Sequence, residues 1–301
     1  MRDMLKFLKD WTLPVAMIIG IIGYPFFLKI AFIIPYLIFF MLLLTFSKVP
    51  VEKLELKRQH FYMLAVQIGG ALLSYYLLSP FNEIVGQVAL VCFVCPSATA
   101  AAVITGKLDG DMNSVTTYTF LSNTVAAISI PLLFSIVGSG ESISFILMAY
   151  KIFCKVFPLL IIPFFLAWLI RFKLPKLHTQ LVALNNITFY IWAVSLSIAI
   201  AKTVESLRNY DIGWKLLLMI TIVSGVVCFS QFFLGRKIGV SINQSKACGQ
   251  ALGQKNTILA IWLAYTYLNP LTSIGPGAYI FLQNGFNAYQ LFRHNQKKSK
   301  K

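Results

Sequence analysis

Charge is scarce in this chain, and acid is scarcer still. Only 12% of its 301 residues are charged, and Asp and Glu together number 10. A soluble domain averages roughly a quarter charged. With 58% hydrophobic residues and a mean hydropathy of +0.75, the chain holds more apolar surface than one soluble core of this length can hide. Those shortages exclude a soluble enzyme, a nucleic-acid-binding domain and a disordered chain. Metal ligands are sparse too. The three histidines, His60, His178 and His294, fall outside the apolar runs and read as loop residues. Cys92 and Cys95 have a C-x-x-C spacing but no second pair and no nearby histidine, so they read as buried thiols, and no metal centre is expected.

What is present is a succession of long apolar runs. The first, Trp11 to Leu28, follows a basic decapeptide. No small-residue cleavage site follows it, so it reads as a span and not a signal peptide. Further runs cover about 31–47, 62–79, 83–105, 113–138, 143–170, 186–204, 213–235, 247–268 and 270–292. Most are long enough to cross a bilayer. They are too long and too uniformly apolar for barrel strands, and a spanning backbone must satisfy itself, so the expected fold is all-α and polytopic with ten transmembrane helices.

The net charge of +16 sits in the short connections between runs. Ten spans put both termini on one side. Nineteen Lys and Arg fall on that side, against Lys29, Lys202, Arg208 and Lys215 opposite. This asymmetry predicts cytoplasmic termini. The short loops suit a bacterial inner membrane, with the lipid bilayer as partner and no nucleic acid. Val49–Phe61 alternates apolar and charged residues and is expected along the cytoplasmic interface. The KKSKK tail reads as a solvated topology signal or a contact for anionic lipid. Lys151 and Lys155, four apart near the start of the sixth run, can snorkel to an interface.

Two runs are interrupted. In the fourth, Pro96 removes a backbone donor ahead of Ser97, Thr99, Ala100, Ala101 and Ala102. In the ninth, Gly249 and Gly253 surround Gln250, Gln254, Lys255 and Asn256, a polar cluster that is costly inside a bilayer unless wet or paired. Fourth and ninth of ten are corresponding places in two five-helix halves. Paired interrupted helices point to the substrate site of an inverted-repeat transporter.

The residues around these breaks resemble the bile acid:sodium symporter family. The stretches that carry the likeness are Pro96–Asp111, GQKNTILA at Gly253–Ala260, and PGAYIFLQNGFNAYQL in the last run. The resemblance implies two inverted five-helix repeats, residues 1–140 and 141–301. It also implies a panel of spans 1, 2, 6 and 7 and a core of spans 3–5 and 8–10, with spans 4 and 9 crossing near mid-membrane. Gln67 and Thr119 match polar positions of the family. The sodium sites do not carry over: a family Ser-Asn pair falls on Ala101 and Ala102, a family Glu on Ala251, and a family Gln on Lys255. Losing a carboxylate and gaining an ammonium both disfavour a bound cation.

The sequence therefore leads to a sodium-independent secondary transporter of an organic anion, bile-acid-like or a small carboxylate. Lys255 replaces the ion. It stays charged and pairs with substrate, or releases a proton during the cycle, or holds helix ends only. Candidate substrate and coupling residues are Lys255, Asn256, Gln254, Gln250, Thr99, Ser97, Thr119 and Gln67, with Pro96 and Gly253 at the breaks. No cofactor is expected beyond a possible coupling proton, and the sequence leaves the oligomeric state open, a monomer included. Two alternatives remain: a sodium-coupled symporter with altered sites, and a non-transporting receptor or scaffold. A membrane enzyme lacks a constellation. KLDGDMNS has the wrong aspartate spacing for Mg²⁺-dependent prenyl or phosphate transfer, and GSGES resembles a nucleophile turn in composition only.

Overall fold

The structure, a computed structural model, describes residues 2–49, 52, 54–138 and 144–299. Among them there are helices and no strand. In order they are α1 (Arg2–Ile22), α2 (Tyr24–Lys29), α3 (Ile34–Phe46), α4 (Arg58–Leu78), α5 (Glu83–Val94), α6 (Ala100–Lys107), α7 (Met112–Val137), α8 (Phe145–Lys173), α9 (Pro175–Ala183), α10 (Asn185–Asn209), α11 (Trp214–Val240), α12 (Ser245–Gly253), α13 (Thr257–Tyr267) and α14 (Ile274–Ser299). Short 3-10 turns at Ala31–Ile33 and Pro270–Ser273 lead into α3 and α14.

Five of these helices, α4, α7, α8, α10 and α11, are long and apolar enough to cross a membrane. Outward faces agree: Ile18, Phe32, Phe40, Leu73, Phe165, Val226, Phe233 and Phe281 are exposed, far more apolar surface than water tolerates. The chain is a membrane protein. The all-helical expectation holds for the described residues. The shorter apolar helices include α5 and α13, each of which is half of an interrupted run.

Helix caps account for several boundaries. Asn82 Oδ1 accepts from Val85 N at the start of α5, and Asp111 Oδ1 accepts from Asn113 N and Ser114 N at the start of α7. Ser144 Oγ does the same for α8. Proline sits in the first turn of α2, α3 and α9, where its missing donor is harmless.

Two sequence expectations need correction. The histidines lie within helices, not loops: His60 is fully buried in α4, where its imidazole shares a hydrogen bond with Ser114 Oγ at 3.0 Å, His178 is in α9 and His294 in α14. His60 was hidden because Arg58 and Gln59 look like loop residues but form the first turn of α4. The first run is two helices, α1 and α2, separated at Gly23. Of the Val49–Phe61 segment, residues 50, 51 and 53 lie outside the described residues. Residues 54–57 are non-helical, with Leu54 in a cavity wall and Leu56 exposed. Most of GSGES also lies outside the described residues.

The packing sorts the helices. α10 runs against α1, α2 and α3, and α3 also packs on α8. α4 lies along α5, and α11 along α12, with α5 and α14 also against α11. α7 touches both sets, through α8 on one side and through α6 and α12 on the other. A smaller apolar cluster stands apart from the main core. It joins Met63, Val115 and Tyr118 to Ala101, Ala247, Cys248, Ala251 and Leu252.

Candidate functional site

The two interruptions meet. Pro96 has no N–H and forces the residue before it out of helical geometry. Cys95 accordingly sits at φ −56°, ψ 139°, and α5 stops at Val94. In the second run, Gln254 is extended at φ −92°, ψ 104°. Asn256 then restarts the helix, its Oδ1 accepting from Leu259 N at 3.3 Å. The unwound stretches pair antiparallel through Ser97 and Lys255. Ala98 N donates to Gln254 O at 2.8 Å, and Asn256 N donates to Pro96 O at 3.0 Å. Buried non-helical backbone must have its polar groups satisfied inside the protein, and here each break satisfies the other.

Helix ends at the breaks leave carbonyls without intrahelical partners. Side chains fill them one by one. At the end of α5, Gln231 Nε2 donates to Cys92 O at 3.1 Å, Lys255 Nζ to Phe93 O at 2.9 Å, and Gln67 Nε2 to Val94 O at 2.8 Å. At the end of α12, Tyr279 OH donates to Gly253 O at 2.7 Å. Tyr279 OH in turn accepts from Gln231 Nε2 at 3.2 Å, which ties the two ends together. The peptide of Lys255 is gripped from α14: its N–H donates to Gln283 Oε1 at 2.9 Å and its carbonyl accepts from Gln283 Nε2 at 3.3 Å.

Lys255 is 1% exposed, so its ammonium faces the crossing and not lipid. A cation at the carbonyl end of α5 is favoured by the helix dipole. Ser97 is also buried; its N–H donates to Ser122 Oγ at 3.1 Å, and Thr119 Oγ1 lies 3.4 Å from Ser97 Oγ. Gln67 Oε1 accepts from Tyr118 OH at 2.7 Å. Gln250 does not join the crossing: its Nε2 donates to Asn287 Oδ1 at 2.9 Å, on α14. Ala101 and Ala251 are in the separate apolar cluster, and Ala102 faces a cavity. Gly253 has a packing reason. A Cβ there would fall 2.3 Å from the Phe232 ring.

A cavity of about 580 Å³ opens beside the crossing. One wall is α3 and α10, through Met41, Thr45, Phe189 and Trp192. The other is α6 and α7, through Ala102, Val103, Thr116 and Thr119. Among the described residues, Lys48 is its only charged lining residue. A smaller space of about 80 Å³ continues inward, and there Lys255 is the only charged lining residue among those described. Thr99, Gln254, Asn284, Met41 and Trp192 line both. Gln254 Oε1 and Thr188 Oγ1 are buried without a hydrogen-bond partner, so two polar groups are available to a ligand.

On the side of the crossing away from this opening, α10 is clasped to α13 and to the 3-10 turn before α14. Tyr265 OH donates to Glu205 Oε2 at 2.5 Å, Lys202 pairs with Glu205 at 3.3 Å, and the Lys202 ammonium lies 4.1 Å from the Tyr265 ring centre. Ser206 Oγ lies 3.0 Å from Pro270 O.

The structure brings Lys255, Asn256, Gln254, Ser97, Thr119, Pro96 and Gly253 together, with Thr99 at the cavity wall and Gln67 at the α5 end. Gln231 and Tyr279 escaped sequence reasoning, although a glutamine inside VVCFSQFF is a signal that a buried partner awaits it. The cavity residues Lys48, Phe189 and Trp192 carried no sequence signal. Among the described residues no group of three His, Cys, Asp or Glu could hold a metal ion. No protein-family model matches the chain, and no curated protein matches it.

Proposed function

We propose that this chain is a secondary transporter of an amphipathic organic anion, similar in plan to the bile acid:sodium symporters but sodium-independent. In this reading the chain forms ten spans in two inverted repeats, with both termini in the cytoplasm of a bacterial cell. Spans 1, 2, 6 and 7 form a panel and the others a core. Support comes from the way α1, α2, α3, α8 and α10 pack together, and from the cavity lying where α3 and α10 face α6 and α7. The charge asymmetry makes the Lys48 end of the cavity cytoplasmic, so this form is open inward and the Glu205–Tyr265 clasp closes the outer side.

One observation carries the reading: among the described residues, a cavity lined by Lys48 continues into a smaller space lined by Lys255, neither with a carboxylate in its wall, and the two end on the crossed helix breaks. Its volume of about 580 Å³ falls within the range of pockets for drug-sized ligands and suits a bile-acid-like molecule better than a small carboxylate. Phe46, Phe189 and Trp192 offer apolar surface to the body, and Lys48 meets the anionic end. Sodium independence rests on the Lys255 ammonium at Phe93 O and on Ala101 and Ala251 packed away from any ligand. Alternating access then moves the crossing relative to α3 and α10.

Uptake by proteoliposomes tests this. A carboxylated or sulfonated steroid should enter saturably, faster than a short carboxylate, and equally with Na⁺ or K⁺ outside. A protonophore separates proton coupling from uniport or exchange. Stimulation by Na⁺ overturns the sodium assignment. Absence of flux for every anion overturns transport itself.

A further inference from the structure

On the face that carries Lys48 and the end of α14 lies a second cavity, of about 260 Å³, between the ends of α11, α12 and α14. Among the described residues no carboxylate lines it. Its wall holds Arg236 from α11, Lys246 from α12, and Arg293, His294 and Lys297 from α14. Asp109 stands nearby, but its ion pairs go to His294 at 2.9 Å and Lys298 at 2.7 Å. Arg236, Lys246, Arg293 and Lys297 form no ion pair among the described residues. Lys246 Nζ donates to Leu108 O at 2.7 Å, and Arg293 donates to Tyr289 OH at 3.2 Å.

Cations spread over a solvated surface need no explanation. These converge on a void, and two of the lining groups are buried with donors unspent. Arg236 donates one guanidinium N–H to Gln290 Oε1, and its guanidinium lies 5.8 Å from the Phe286 ring centre, yet its Nε is buried without a partner. Gln290 is 8% exposed, and its Nε2 also has no partner. Arg236 reaches this position because its stem lies against Gly249, where a Cβ would come 2.6 Å from Arg236 Cγ. Guanidinium and amide donors with ammonium groups around them match phosphate oxygens. Along the same two helices, Phe229, Phe233 and Phe281 are exposed, and they offer acyl chains an apolar surface.

We propose that this cavity binds the phosphodiester headgroup of an anionic phospholipid from the leaflet on the basic side. The proposal does not depend on transport. Free phosphate shares the headgroup chemistry, and the test separates the two.

The purified full chain in neutral detergent is titrated with dioctanoyl-phosphatidylglycerol, dioctanoyl-phosphatidylcholine or inorganic phosphate, and its melting temperature is followed. Phosphatidylglycerol should raise the Tm saturably at concentrations where the other two do not. The half-saturating concentration should rise about fivefold for each cation removed, in Arg236→Gln and in Arg293→Gln with Lys297→Gln. The second variant changes only exposed side chains, so it remains informative if Arg236→Gln fails to fold. Lys151→Gln with Lys155→Gln, exposed cations on α8, should leave the titration unchanged. Equal shifts with phosphatidylcholine, or a wild-type titration in the Arg293/Lys297 variant, overturn the proposal. An equal shift with inorganic phosphate assigns the cavity to a free ion and overturns the lipid source.

Discussion

At the scale of single residues, Lys255 does two things that substitution can separate. It places a charge at the crossing, and it donates to a carbonyl that has no other partner. Lys255→Met removes both. Uptake should be lost, and leaving Phe93 O unpaired should cost about 1–3 kcal/mol of stability, read as a lower Tm. Lys255→Gln keeps a donor, though on a shorter stem, so it should lose uptake with a smaller fall in Tm. Equal uptake in both variants and wild type removes the ammonium from transport. Gly253 offers a second test. Gly253→Ala drives a Cβ into Phe232, and overpacking of this kind costs about 1–3 kcal/mol. Adding Phe232→Leu should recover part of the loss, and a double-mutant cycle in Tm measures how much.

At the scale of elements, two polar contacts hold helices in the present arrangement. The clasp between α10 and α13 rests on Tyr265 OH and Glu205. Tyr265→Phe keeps the ring under Lys202 but removes the hydrogen bond to Glu205, which leaves Glu205 held by Lys202 alone on α10. The proposed inward-open form should then open outward more often. A cysteine placed by Met41→Cys in the cavity should react faster with an impermeant thiol reagent added outside, and an unchanged rate contradicts a gating role. The other contact ties the end of α14 to the turn between α6 and α7. Its Asp109 holds φ 57°, a left-handed conformation that Asp tolerates better than most residues. The hydrogen bond from Lys298 holds the Asp109 carboxyl below the usual carboxylate range, and His294 adds to the effect. A depressed acid contributes stability above its unfolded value, near 3.9, and the contribution disappears as pH falls through the folded value. The group is fully exposed, so the effect is small and should fade with salt. Asp109→Asn should lower the Tm slightly near neutrality, where the ionised carboxylate makes its contribution, and flatten the dependence of Tm on pH below about 4.

At the scale of the whole molecule, legibility followed the chemistry that the backbone demands. Pro96 and the Gly253–Asn256 cluster announced both breaks, because an apolar run can tolerate neither a missing donor nor four polar groups without cause. The apolar runs gave the helical class for the same reason. What stayed hidden depended on partners distant in sequence. Nothing local says that Gln231 serves Cys92 O, or that Ala101 meets Ala251 in one apolar cluster. The α9 helix was hidden because PKLHTQLVA is polar enough to pass for loop, although Pro175 stands at its first position. The cavity wall was hidden because Phe189 and Trp192 look like any aromatic residues in a span. Ten spans in two repeats and transport belong to the proposal made above, and the uptake experiment tests transport.

The capping of α5 by Lys255 also sets an order on biosynthesis. Phe93 leaves the ribosome 162 residues before the amine that completes it. At about 5–20 residues per second, its carbonyl waits on the order of ten to thirty seconds. Oil offers it nothing during that interval, so the nascent first half must linger where water or a chaperone can reach it. Ribosome-bound intermediates stalled just short of Lys255 should remain sensitive to protease near Cys95, and become resistant only once the later helices have emerged.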